Sequence, residues 1–131
     1  MAVFSKSSFD KLQTCHPDLQ RLFQEVIKHY DCVVTEGYRG EEAQNAAFAS
    51  GHSKLKYPNG KHNQKPSIAV DVVPYPVDYS DTNKIYHFAG FVIATAYQLK
   101  INIRWGGSWD GSMDLKANKF NDLVHFELLN P

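Results

Sequence analysis

The sequence predicts an α+β domain in which helices pack on a small, mainly antiparallel sheet. Three observations lead there. Helical and extended stretches are interspersed, without the regular strand–helix–strand alternation that builds a parallel sheet. The extended stretches are short β-branched or apolar runs bounded by glycine, proline and polar residues. The chain has 131 residues, enough for one compact domain with its own hydrophobic core, so a single domain spanning residues 1–131 is expected.

The first strong element runs from Pro17 to about Tyr30. Leu19, Leu22, Phe23, Val26, Ile27 and Tyr30 recur at the spacing of one helical face, and Pro17 suits a first helical turn, where its missing N–H costs nothing. Cys32-Val33-Val34-Thr35 reads as a strand. The segment 41–49, EEAQNAAFA, combines good helix formers with acidic residues at the positive end of the helix dipole. A polar loop from Gly51 to Ser67 follows, of a length usually kept for function or mobility. Ile68 to Val73 reads as a buried strand ended by Pro74 and Pro76. A helix over 82–99 presents Ile85, Phe88, Ala89, Val92 and Ala96 on one face. Strands are expected at 101–105 and 124–128, with a long loop over 106–121 between them.

Composition narrows the function classes. Apolar residues make up 43% and charged residues 21%, and 14 basic against 14 acidic residues give no net charge. A nucleic-acid partner is disfavoured, because phosphate binding needs clustered Lys and Arg. A local basic patch at Lys54, Lys56, Lys61 and Lys65 reads either as a solvated loop or as an anion site. There is no apolar run long enough to span a membrane. The N-terminus lacks the basic start and apolar run of a signal peptide, so folding in a cytoplasm is expected. Cys15 and Cys32 are not spaced as a metal half-site and imply no disulfide framework.

Three polar residues disturb this structural pattern. Asp71 lies inside Ile68-Ala69-Val70-Asp71-Val72-Val73. A buried carboxylate without a partner is too costly for a small domain, so Asp71 needs a cation, a hydrogen-bond network or a wet face. His125 lies in Leu123-Val124-His125-Phe126-Glu127-Leu128. By period two it shares a face with Glu127, opposite an expected core face of Val124, Phe126 and Leu128. Taken alone it reads as a hydrogen-bonded strand histidine or as a ligand. His62, in the polar loop, means little by itself. Together the three form a mixed N/O set of the kind that holds catalytic zinc with a fourth position open for water. Asp122, three residues before His125, stands where a general base would approach that water. His16, His29, His52 and His87 read as surface or structural. No HExxH helix, GxSxG elbow or phosphate-binding glycine loop is present.

At these residues the chain resembles the zinc D-Ala-D-Ala carboxypeptidases and L-alanyl-D-glutamate peptidases of bacterial cell-wall peptides. These share a fold group with lysostaphin-type enzymes and hedgehog proteins. Gly60-Lys61-His62 matches the family's S-x-H, Ala69-Val70-Asp71 its A-x-D, and Asp122-Leu123-Val124-His125 its D/E-x-x-H. Gly37 to Gln44 is similar to the family's G-x-R-(S/T)-x-x-x-Q segment. Gly60 stands where many relatives have Ser, and the spacing from His62 to Asp71 is longer than in the commonest form, as in small phage lysis enzymes.

The resemblance implies one zinc per chain on His62, Asp71 and His125, with Asp122 as base. It implies a role for Arg39 toward an oxyanion or a substrate carboxylate, against the alternative of an ion pair with Glu41 or Glu42. Gln44 would position Arg39 or substrate. Trp105 and Trp109, with Tyr75 and Tyr79, would line the cleft or else pack in the core. The implied substrate is the peptidoglycan stem peptide, the implied setting a phage or prophage endolysin acting as a monomer on the cell wall. A D,D-carboxypeptidase and a non-catalytic wall-binding or phage structural module are the alternatives.

Overall fold

The computed structural model describes residues 2–112, 114–118 and 121–131. Positions 113, 119 and 120 of the expected 106–121 loop lie outside the described residues. In order, the elements are α1 (Lys6–Gln13), α2 (Pro17–Ile27), β1 (Cys32–Glu36), α3 (Glu41–Ala49), β2 (Ala69–Pro74), α4 (Thr82–Gln98), β3 (Ile103–Gly106) and β4 (Asp122–Leu128). Short 3₁₀ turns occur at Lys61–Asn63 and Leu115–Ala117. The four strands form one antiparallel sheet in the order β1-β2-β4-β3.

Sequence reading misses α1. Its apolar face is thin, with only Ser8 and Leu12 buried. The local signal is Ser5, whose hydroxyl accepts from the Ser8 N–H at 3.2 Å and caps the helix. Ser8 in turn accepts from the Val34 N–H at 3.0 Å, tying α1 to β1. At α2, Pro17 takes the first turn as expected, and the His16 ring accepts from the Asp18 N–H. The expected strand at 101–105 is displaced: Ile101 turns the chain out of α4, with its N–H donated to Ala96, and pairing begins at Ile103.

Register gives the sheet two chemically different faces. On one, Val34, Val70, Val72, Trp105, Phe126 and Leu128 are buried against α2 and α4. Phe126 packs edge-on to Phe23 and Phe88, the arrangement that ring quadrupoles favour. The opposite face carries Asp71 directly across from His125, and Arg104 directly across from Glu127. Glu36 is set against Asp71 by a bulge after Val34. Val124 does not join the core as period two predicts. The irregular pairing of Gly106 with Asp122 lets Leu123 pack against the core instead. Cys15 and Cys32 are free and buried, and burial pushes both thiols up to about 12.

Candidate metal centre

The site forms where the polar sheet face meets two loops. The cross-strand pair of β2 and β4 brings His125 Nδ1 to 3.2 Å from Asp71 Oδ1. The 3₁₀ turn at Lys61–Asn63 delivers His62, whose Nε2 lies 3.3 Å from Asp71 Oδ1 and 3.3 Å from His125 Nδ1. The turn is stitched to the loop after β1. Arg39 N–H donates to His62 O, and the Asn63 amide donates to Arg39 O. Gly37 is required here. A Cβ at that position would collide with the Lys11 carbonyl and the Thr14 hydroxyl, yet the Gly37 carbonyl must reach His62 Nδ1 at 2.8 Å. Gly60 is also accounted for. A Cβ there would sit 2.7 Å from Asn63 Oδ1, which already accepts from the Gly60 N–H.

Hydrogen bonds behind the two rings set their tautomers. His62 Nδ1–H donates to Gly37 O, leaving Nε2 as a lone pair. His125 Nε2–H donates to Glu127 Oε1 at 2.8 Å, which turns Nδ1 toward Asp71 and His62. This is the outer-shell pattern that orients metal-binding imidazoles. Two ring nitrogens and a carboxylate oxygen therefore face one another, an arrangement that a shared metal ion or a proton makes favourable. A tetrahedral zinc site with bonds of about 2.0–2.1 Å has donor–donor edges of about 3.3–3.4 Å. The observed triangle fits it, and His62, Asp71 and His125 are the one such group among the described residues.

Without a metal the same electrostatics holds a proton. Burial opposes the charged form of His125, but the Asp71 and Glu127 carboxylates overcome it and hold the ring up to about 9. Burial likewise opposes ionisation of Asp71, and the two histidines prevail, holding its carboxyl well below the usual range. Asp122 differs. Burial, then the negative charge of Asp71, push its pKa up. Its Oδ2 lies 3.9 Å from His125 Nδ1, beside the triangle rather than within it.

Sequence reading notices Glu127 on the His125 face but assigns it no role. It is 3% exposed and bridges His125 to Arg104, whose guanidinium donates to Oε2 at 2.8 Å. Burial opposes ionisation of Glu127, while His125 and Arg104 outweigh it and keep the carboxylate charged. Glu127→Gln is expected to weaken zinc binding by about 10–100-fold with the fold retained. Competition with a chromophoric chelator, alongside circular dichroism, checks this. An unchanged affinity would leave His125 oriented by packing alone.

The remaining expected site residues divide. Arg39 is 13% exposed at its side chain and reaches Asp71 Oδ2 at 3.8 Å. It also pairs with Glu36 at 3.6 Å, and with neither Glu41 nor Glu42. Gln44 is buried, and its polar atoms are used within the chain. Its oxygen accepts from Arg39 and Asn63, and its nitrogen donates to Ser53 and the Leu55 carbonyl. It therefore positions Arg39 and the 51–60 loop, and that spends the donors it would offer a substrate.

Trp109 lines the cleft, with its ring 5.4 Å from that of His125. Trp105 does not. It is 6% exposed and donates its indole N–H to Leu123 O, because the β3 register turns it to the core side opposite Phe126. Tyr75 is exposed, while Tyr79 lines a second hollow. His52, expected to be surface or structural, stands exposed at the rim of both hollows.

The cleft thus has two arms that meet at the metal centre. One, of about 370 Å³, is lined by Arg104, Lys61 and Trp109 among others. The other, of about 660 Å³, is lined by Glu36, Asp71, Tyr79 and Val124 among others. Arg39, His52 and Asp122 border both. Among the described residues no helix is long and apolar enough to cross a membrane.

Comparison with known proteins agrees with this fold. The Serratia marcescens L-Ala D-Glu endopeptidase ChiX superposes with a TM-score of 0.74 at 26% sequence identity, over 96% of this chain and 89% of that one. Residues 1–129 match the family described as phage L-alanyl-D-glutamate peptidase. Sequence and fold together make this chain a member of the phage L-alanyl-D-glutamate peptidase family, and hence a peptidoglycan peptidase.

Proposed function

We propose that the protein is a zinc-dependent endopeptidase that cuts the L-Ala–D-Glu bond of peptidoglycan stem peptides and serves as a phage or prophage endolysin. The observation that carries this reading is the triangle of His62 Nε2, Asp71 Oδ1 and His125 Nδ1, with edges of 3.2–3.3 Å and a separate carboxylate beside it. Family membership supports the choice of bond. Bound zinc would supply a Lewis acid that makes water nucleophilic near neutral pH and polarises the scissile carbonyl.

The chain's own side chains do the rest. Asp122 takes the proton from the attacking water and passes it to the leaving amine. Arg39, held by Gln44 and Glu36, presents its guanidinium to the oxyanion that develops on the carbonyl oxygen. Trp109 walls the cleft beside His125. One chain holds the complete set, which supports action as a monomer. In the endolysin role the protein is made in the host cytoplasm and acts on the wall.

The deciding experiment combines metal analysis with mass spectrometry of digested, purified peptidoglycan. The expected result is one zinc per chain and new N-terminal D-Glu. Release of D-Ala instead would make the protein a D,D-carboxypeptidase. Wall binding and zinc retention with no cleavage would make it a binding module.

A further inference from the structure

The two arms of the cleft differ in charge. Arg39, Lys54, Lys61 and Arg104 border the smaller arm against Asp122 and Glu127. Glu36, Asp71 and Asp122 border the larger arm against Arg39 alone. The larger arm also carries small and apolar side chains, among them Ala43, Ala47 and Val124. A substrate with charge on one side of its scissile bond is therefore bound in one direction.

The stem peptide is such a substrate. L-Ala is joined to the sugar through a neutral amide and offers only a methyl group. D-Glu is joined to L-Ala through its α-amino group and to the next residue through its γ-carboxyl. Its α-carboxylate is left free, on the carbon that bears the scissile nitrogen.

Arg104 is built to receive such a group. Glu127 takes one guanidinium nitrogen, and Cζ lies 5.6 Å from the centroid of the Trp109 ring. Its Nε is buried with no hydrogen-bond partner, and the side chain remains 36% exposed. A guanidinium fixed on one edge keeps further N–H groups for a second carboxylate at little entropic cost. Lys61 precedes the ligand His62 in the 3₁₀ turn. It is exposed on the same arm and forms no ion pair among the described residues.

We propose that the smaller arm is the subsite for the free α-carboxylate of D-Glu, with Arg104 and Lys61 as its charged anchors. The larger arm then takes the alanyl side. This assignment rests on the reading of the protein as an L-Ala–D-Glu endopeptidase. It makes amidation of that carboxylate, which turns D-Glu into D-isoglutamine, the feature that the enzyme discriminates against.

The test uses zinc-loaded protein and two synthetic peptides, N-acetyl-L-Ala-γ-D-Glu-L-Lys and its α-carboxamide counterpart. Wild type is expected to favour the acid by about tenfold or more in kcat/KM, the size of a hydrogen bond to a charged group. Lys61→Gln and Arg104→Gln are each expected to shrink that ratio by about threefold or more. Any disturbance of His125 through Glu127 slows both peptides alike and leaves the ratio unmoved. Hydrolysis of both peptides by wild type within about twofold, or variants that slow both equally, would overturn the subsite.

Affinities of the two peptides for the metal-free protein, by calorimetry, give an independent reading. Tighter binding of the acid supports the subsite, and equal affinity overturns it. Failure of the zinc-loaded protein to cut either peptide would count against the endopeptidase reading, while the metal-free comparison still decides the subsite.

Discussion

Asp71→Ala is expected to lose the bound zinc and to reduce hydrolysis by about 10³-fold or more, since a Lewis-acid metal contributes several kcal/mol to the transition state. Asp71 is the only anion in the triangle, and Arg39 lies 3.8 Å behind it. Its removal leaves two imidazoles and no carboxylate among the ligands, in reach of a guanidinium, a poor environment for a dication. Metal analysis after dialysis reads the stoichiometry. Added zinc should raise the melting temperature of wild type by mass action and leave that of the variant unmoved. An Asp71→Ala protein that keeps one zinc per chain would place the metal elsewhere.

Asp122→Ala is expected to do the opposite to the metal and nearly the same to the rate. Asp122 lies outside the triangle, so zinc binding is retained, while loss of a general base costs about 10²–10⁴-fold in kcat. The contrast separates a ligand from a base. Both variants abolish useful turnover, but only one changes metal content. Normal turnover by Asp122→Ala on purified wall peptides would mean that the proton goes to another group.

Part of this architecture was legible along the chain because it is local. The periodicities of α2 and α4, the acidic start of α3 and the proline-ended strand β2 each depend on neighbours within a few residues. The candidate ligands were legible for a related reason. Asp71 and His125 interrupt apolar strands, and such interruptions are costly unless a partner compensates. Helix α1 was not legible, because two buried side chains and a serine cap leave little periodic signal.

The sequence by itself therefore determined most of the element types and the α+β class, and it marked the four polar positions that the fold brings together. Only the tertiary structure decided what stands next to what. Period two says that alternate strand residues share a face, but not which face is the core. Pairing settles that. Trp105 opposite Phe126 goes to the core, and Arg104 opposite Glu127 goes to the cleft. A one-residue slip would exchange them. Pairing of Asp71 with His125 likewise joins residues far apart in the chain, and the turn carrying His62 docks through hydrogen bonds to Arg39 and Gly37. Those contacts depend on the packing of separate elements, which no local pattern encodes.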